Sequence, residues 1–226
     1  MTRTLSIIIP TCNEAAFIET AVTSALQQSP LEIIVSDGDS QDDTVSIAKR
    51  TAFSNPCIQV ISAPQGRGQQ LAAGAAIAKG DILIFLHCDN VLQCNALDQL
   101  QQADWPIWGG FEQRINDSRQ RYRWLEWGNA VRVRWTSRVF GDQGIFVQRS
   151  AYDEVNGFDK VELMEDVMLS TKLKSIAPAT LLPGKLHVDP RRWHATGVVR
   201  QTARNWIIQL AFTCGVSPAT LRRWYG

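Results

Sequence analysis

Along the first hundred residues the hydrophobic pattern switches repeatedly between two periods. Leu5–Ile9 is a continuous, β-branched apolar run that stops at Pro10 and predicts a buried strand. Phe17, Ile18, Ala21, Val22, Ala25 and Leu26 then recur at helical spacing, with Asn13 placed to cap the helix and Pro30 closing it. Glu32–Ser36 predicts a second strand. Asp42–Ala52 predicts a second helix, acidic at its start and ending in Lys49-Arg50, as the helix dipole favours. Asp42 or Ser40 would cap it. Ile58–Ser62 predicts a third strand, Gly66–Lys79 a Gly/Ala-rich loop and helix closed by Gly80, and Asp81–Leu86 a fourth, wholly apolar strand. Such alternation predicts a parallel sheet with helices on both faces.

The second half is less regular. Ile107–Phe111 and Gly144–Gln148 predict strands, separated by a segment, Arg119–Phe140, rich in Arg, Trp and Tyr. Met164–Ile176, acidic at first and basic at last, predicts a helix. Thr196–Phe212 carries Val198, Val199, Ala203, Trp206, Ile207 and Leu210 on one stripe and predicts a long amphipathic helix, ended by Gly215-Val-Ser-Pro218.

Open α/β sheets bind ligands outside the carboxyl ends of their strands. Those ends carry Pro10-Thr-Cys-Asn-Glu14, Ser36-Asp-Gly-Asp-Ser40, Gln65-Gly-Arg-Gly-Gln69 and His87-Cys-Asp-Asn90. Four polar turns thus converge on one edge. Acids there suit a divalent metal bridging to a phosphate, with Asp89 the foremost candidate, although Asp also caps helices. Asp37 is the ligand-facing candidate of the second turn. Gly66-Arg-Gly-Gln-Gln70 could offer amides and a guanidinium to a phosphate, or be a surface turn. It matches neither the dinucleotide nor the P-loop spacing. Glu165-Asp166, opening a helix, is either dipole compensation or a general base.

Composition adds an asymmetry. The 226 residues are 45% hydrophobic and 20% charged, ordinary for a globular chain, which excludes disorder and collagen-like repeats. One domain over 1–226 is expected. The net charge of +1 hides two halves: residues 1–104 hold 5 Lys/Arg against 11 Asp/Glu, residues 105–226 hold 18 against 11 and all eight tryptophans. Apolar runs such as Ile207–Phe212 fall far short of the roughly 20 residues that span a bilayer. Met1–Pro10 lacks a cleavable leader pattern. Five cysteines (Cys12, Cys57, Cys88, Cys94, Cys214) without a Cys-x-x-Cys spacing fit reduced thiols in a cytoplasmic protein better than disulfides or zinc. His187 and His194 are weak candidates for a metal site.

Taken in order, these motifs resemble family 2 glycosyltransferases of GT-A fold over nearly the whole chain. Ile7-Ile-Ile-Pro-Thr-x-Asn-Glu14, Val35-Ser-Asp-Gly-Asp-Ser-Gln-Asp-Asp-Thr44, the strand to Asp89 and Glu165-Asp166 carry the likeness. Gly141-Asp-Gln-Gly-Ile-Phe146 and Arg191-Arg-Trp193 narrow it to a small, soluble bacterial branch. The resemblance implies a Rossmann-like, mostly parallel sheet, a C-terminal helical elaboration on the acceptor side, and inverting transfer of a hexose from a UDP- or GDP-sugar with Mg²⁺ or Mn²⁺. Residues 1–104 would bind donor and 105–226 acceptor. By that likeness Pro10, Thr11, Glu14 and Asp37 line the nucleotide pocket, and Arg67, Gln69 and Gln70 flank ribose or phosphates. His87, Asp142 and Gln143 also contact the donor, while Arg191, Arg192 and Trp193 face the diphosphate or acceptor. Asp89 holds the metal and Asp166 is the base, with Glu165 beside it. The sequence departs from the family's D-x-D metal turn, carrying His87 at the earlier position, and from its usual Asp-Asp-Gly, carrying Asp37-Gly-Asp39.

Two other classes remain open at this point. A nucleotidyltransferase would need a Gly- and Lys-bearing loop beside the first strand, which Pro10–Glu14 is not. The run Arg119-Gln-Arg-Tyr-Arg-Trp-Leu-Glu-Trp127, with Arg132–Arg138, suits a membrane surface or single-stranded nucleic acid. Alternatively Trp124, Trp127 and Trp135 pack on the sheet and the arginines are solvated. Peripheral contact with the inner membrane face is the partner considered; no nucleic acid is expected.

Overall fold

The computed structural model describes residues 3–93, 95–161 and 163–225; Cys94 lies outside the described residues. The first half runs β1 (Leu5–Thr11), α1 (Ile18–Leu26), β2 (Glu32–Asp37), α2 (Thr44–Phe53), β3 (Ile58–Ser62), α3 (Arg67–Ile77), β4 (Ile82–Phe85), β5 (Asn90–Leu92) and α4 (Ala96–Gln102). The second half runs β6 (Trp108–Ile115), α5 (Gln120–Thr136), a 3₁₀ turn (Gly141–Gln143), β7 (Ile145–Gln148) and α6 (Arg149–Glu154). It continues with α7 (Glu165–Leu173), β8 (Thr180–Val188), α8 (Arg191–Thr196), α9 (Val198–Thr213) and α10 (Pro218–Tyr225).

All eight strands join one sheet in the order β3-β2-β1-β4-β7-β6-β8-β5. The leading half is parallel: Ile7 registers with Ile33 and with Ile84, and Ile33 with Ile58. Beyond β4 the sheet turns mixed, because β7 is antiparallel to both β4 and β6, β8 is parallel to β6, and β5 is antiparallel to β8. Ile7 and Ile9 of β1 belong to a core cluster shared with α1, α2 and α4, on one face of the sheet; Ile8 belongs to a second, shared with α3, α6 and α7, on the other. Every residue of β1 and β2 is buried, which is why both read as unbroken apolar runs. The sheet is therefore covered on both faces, as the alternation predicts.

Several expectations change. Asn13 does not cap α1, which starts after Phe17; its Oδ1 accepts from the Gln41 amide, tying the first turn to the second. Asp42 Oδ1 accepts from the Thr44 amide at the start of α2, and its Oδ2 from the Ala15 amide. The amphipathic stretch from Thr196 is broken at Gly197, whose φ of +82° separates α8 from α9. Strands β5 and β8 were not expected. β8 contains Pro183-Gly184 at a register shift against β6, where the pairing jumps from Phe111–Leu182 to Glu112–Lys185. Trp124, Trp127 and Trp135 do not pack on the sheet; they are 66%, 63% and 85% exposed. No helix among the described residues is long and apolar enough to cross a membrane.

Candidate active site

The carboxyl ends of β1 and β4 and the β3–α3 turn open onto a cleft of about 450 Å³. Pro10, Thr11 and Glu14 come from the first turn, Arg67 and Gln70 from the third, and His87 and Asp89 from the fourth. A smaller hollow of about 150 Å³ holds Asp142, Glu165 and Asp166. Arg67, His87, Leu163 and Arg192 line both, so the two form one continuous cleft.

Its first end is built around a partly buried carboxylate pair bridged by arginine. Arg191 Nη2 donates to both Glu14 oxygens at 2.8 and 3.0 Å and to Asp89 Oδ2 at 3.1 Å. Its guanidinium lies 4.2 Å from the centre of the Phe17 ring. Burial works against a charged Asp89, but the guanidinium groups of Arg192, Arg191 and Arg67 favour the carboxylate, and its pKa stays below its ordinary value. Burial, helped by Arg67 and Arg192, holds His87 neutral, with its pKa pulled down to about 3. The thiol of Cys88, between them, is raised by burial and by Glu14 and Asp89.

The other end is shaped by close backbone approach. A Cβ on Gly68 would lie 2.5 Å from the Asp159 carbonyl and 2.8 Å from that of Val161. Glycine here lets the start of α3 touch the segment leading into α7, and Arg67 Nη1 reaches Glu165 Oε1 at 3.2 Å. Met164, just before α7, is held at φ +69° while buried, a conformation that costs a non-glycine residue about 1 kcal/mol or more. Glu165 is 1% exposed. Its burial outweighs the Arg67 charge, and the neighbouring Asp166 adds to it, so its pKa rises to about 7. Asp166 is the more open of the two: Oδ2 accepts from the Gly141 amide at 2.8 Å and Oδ1 from the Val167 amide at 2.7 Å. Nearby Asp142 is raised by burial against the opposing Arg132, and its Oδ1 has no hydrogen-bond partner among the described residues.

Some expected site residues lie outside the cleft lining or have their side chains bonded within the scaffold. Asp37 is buried behind the cleft, accepting from Thr11 Oγ1, Ser40 Oγ and the Ser40 amide. Gln70, though it borders the cleft, spends its side-chain amide on the Thr11 and Ser36 carbonyls at 2.5 and 3.1 Å. Gln69 lies outside the lining and donates to the Gln65 carbonyl. Gln143 is fully buried and accepts from Arg132. Trp193 packs with Ile115, Tyr122 and Val198 rather than in the cleft. His187 bonds Asn116 and His194 bonds Asp117, both away from the cleft. Arg222 of α10 and Leu163 do line it, and neither was anticipated.

Among the described residues no three Asp, Glu, His or Cys side chains converge to form a metal cage. An ionised Asp89 at the cleft floor still fits a hard cation that takes its remaining ligands from phosphate oxygens, the manner in which Mg²⁺ is usually held.

A parallel leading half-sheet, a cleft at its carboxyl edge and a mixed second half together define a GT-A-type glycosyltransferase fold. Residues 6–131 match the family model described as Glycosyl transferase family 2, and the chain belongs to that family. It is 35% identical over 103 residues to the GalNAc(5)-diNAcBac-PP-undecaprenol beta-1,3-glucosyltransferase of Campylobacter jejuni, covering 43% of this chain and 33% of that protein. The matched part spans about a third of that relative's length and no more than 36% of any other curated relative it resembles. In fold it resembles a mannosyltransferase of Pyrobaculum calidifontis in complex with GDP-Man and Mn²⁺ (TM-score 0.63, 20% identity, 93% of this chain and 61% of that one). It also resembles glucosyl-3-phosphoglycerate synthase of Mycobacterium tuberculosis in complex with Mn²⁺, UDP and phosphoglyceric acid (TM-score 0.61, 20% identity, 95% and 80%). Nucleotidyl transfer finds no support in these comparisons.

Proposed function

We propose that this chain transfers a sugar from a nucleotide-sugar donor to an acceptor hydroxyl with inversion at the anomeric carbon. The observation that carries the reading is the continuity of the cleft: an arginine-rich donor end and a carboxylate end meet at His87 and Arg67. In this reading the diphosphate lies along the donor end, where Arg67, Arg192 and Arg222 face it. Negative charge builds on the leaving phosphate as its bond to the anomeric carbon breaks, and fixed cations are most effective where that charge develops. Asp89 would hold a divalent cation together with the diphosphate oxygens, and that cation would add further stabilisation of the leaving group. Complexes of proteins of this fold with Mn²⁺ and either GDP-Man or UDP support both assignments.

At the far end Asp166 takes the acceptor's proton as its oxygen attacks the anomeric carbon from the face opposite the diphosphate. The Gly141 and Val167 amides orient its carboxylate. Glu165, buried against Arg67, positions that arginine rather than meeting substrate. Asp166→Asn should keep its affinity for the donor and lose roughly 10²–10⁴ in turnover, the usual contribution of a general base. Unchanged turnover in that variant would remove Asp166 from the role.

A further inference from the structure

Helices α5, α9 and α10 leave a broad surface that nothing among the described residues covers. Trp124 and Trp135 stand about three turns apart on one side of α5, with Trp127 alongside, its ring edge-on to Trp124 at 6.3 Å between centroids. On α9, Val198 and Ile208 face inward while Val199, Trp206, Ile207 and Leu210 are 61–83% exposed. Between α5 and α9 runs an apolar groove of about 590 Å³ whose walls include Trp124, Leu125, Val199 and Trp206, with Arg121 at its rim. A second hollow of about 600 Å³ lies between α9 and Trp224 of α10, and Ala203 borders both. Soluble surfaces rarely expose so much contiguous apolar area without a partner.

The charge around this surface has one sign. Residues 190–226 contain six arginines and no Asp or Glu; residues 118–141 contain six arginines and one acid, Glu126, which is paired with Arg123. Arg121, Arg200 and Arg223 are exposed. A second copy of the chain would bring the same cationic face against itself. Single-stranded nucleic acid would use the arginines and stack on the tryptophans, but leaves the aliphatic stripe Val199–Leu210 unsatisfied. An anionic bilayer satisfies all three: arginines at the phosphates, indole rings at the headgroup boundary, aliphatic side chains below them.

We propose that the α5–α9–α10 face docks on an anionic lipid bilayer. The same helices border the cleft, since Ile208 of α9 lines its carboxylate end and Arg222 of α10 its donor end. Docking therefore sets the cleft at the lipid surface, where an acceptor held in the membrane could enter it. The binding claim itself is independent of the transfer reaction.

The test is co-sedimentation of the full chain with vesicles of phosphatidylcholine alone or mixed with phosphatidylglycerol, at low and high salt. Retention on the mixed vesicles with a blue shift of tryptophan emission, weakened by salt, is expected. Trp206→Ala with Trp124→Ala should weaken it roughly tenfold or more, and Arg200→Gln with Arg223→Gln should erase the preference for anionic lipid. All four side chains are exposed, so the variants should melt as the wild type does. The proposal is overturned if the chain ignores anionic vesicles, if the variants bind equally well, or if the face instead mediates a dimer or retention on single-stranded RNA.

Discussion

Glu165 offers a quantitative test of how the carboxylate end is built. Its side chain is almost wholly buried, and one guanidinium at 3.2 Å does not offset that burial, so its pKa rises from 4.5 to about 7. The folded state therefore favours the protonated acid. That contribution is fully present below pH 4.5 and is lost as pH rises through about 7. Such a rise is worth roughly 3 kcal/mol, or about 6–12 °C in Tm for a chain of this size. Glu165→Gln replaces the titrating group with a neutral one of the same shape whose Oε1 still accepts from Arg67. Thermal unfolding of both proteins should be followed from below pH 4.5 to above pH 7, because groups common to both cancel in the difference. The wild type should lose ground to the variant steadily across that window. Parallel curves would refute the reasoning, since they would mean that Glu165 ionises as freely in the folded chain as in the unfolded one.

Other consequences follow from single contacts. Gly68→Ala should push α3 away from the Asp159 and Val161 carbonyls and cost about 1–3 kcal/mol, read from chemical denaturation. It should also weaken donor binding by displacing Arg67. Gln70→Leu removes the side-chain donor from the buried Thr11 and Ser36 carbonyls, the first of which still accepts from the Gly38 amide, and should cost about 1 kcal/mol, lowering Tm by a few degrees. Arg191→Gln leaves Glu14 and Asp89 without their shared cation. It should weaken nucleotide binding in the absence of divalent metal, with Mn²⁺ recovering part of the loss in a calorimetric titration. Equal loss with and without Mn²⁺ would contradict the placing of a cation at Asp89.

How much of this was legible beforehand depended on burial. β1, β2 and β4 are enclosed on both faces, so Ile7–Ile9, Ile33–Val35 and Ile82–Phe85 announce themselves as continuous apolar runs. β8 is half exposed and interrupted by Pro183-Gly184, and β5 is three residues long, so neither leaves a periodic signal. The site was legible where polar residues sit directly at strand ends: Thr11, Glu14, Arg67, His87 and Asp89 all reach the cleft. Motif position alone could not distinguish a side chain that lines the cleft from one that holds its walls, as Asp37 and Gln143 do. Nor could it find Arg222, which arrives from a helix at the other end of the chain. The sign change in charge between the halves proved spatial as well as sequential. Acids at the strand ends of the first half face arginines from α8 and α10 of the second across one cleft.

The central claim is that this cleft binds a nucleoside diphosphate sugar. Thermal unfolding with UDP-, GDP-, CDP- and dTDP-sugars, each with and without Mn²⁺, tests it most directly. Ligand at about a hundredfold above its Kd adds roughly 2.7 kcal/mol to the native state, a rise of about 5–11 °C. One donor should produce that rise with Mn²⁺, and Asp89→Asn should lose most of it. No rise with any of the four would contradict the account.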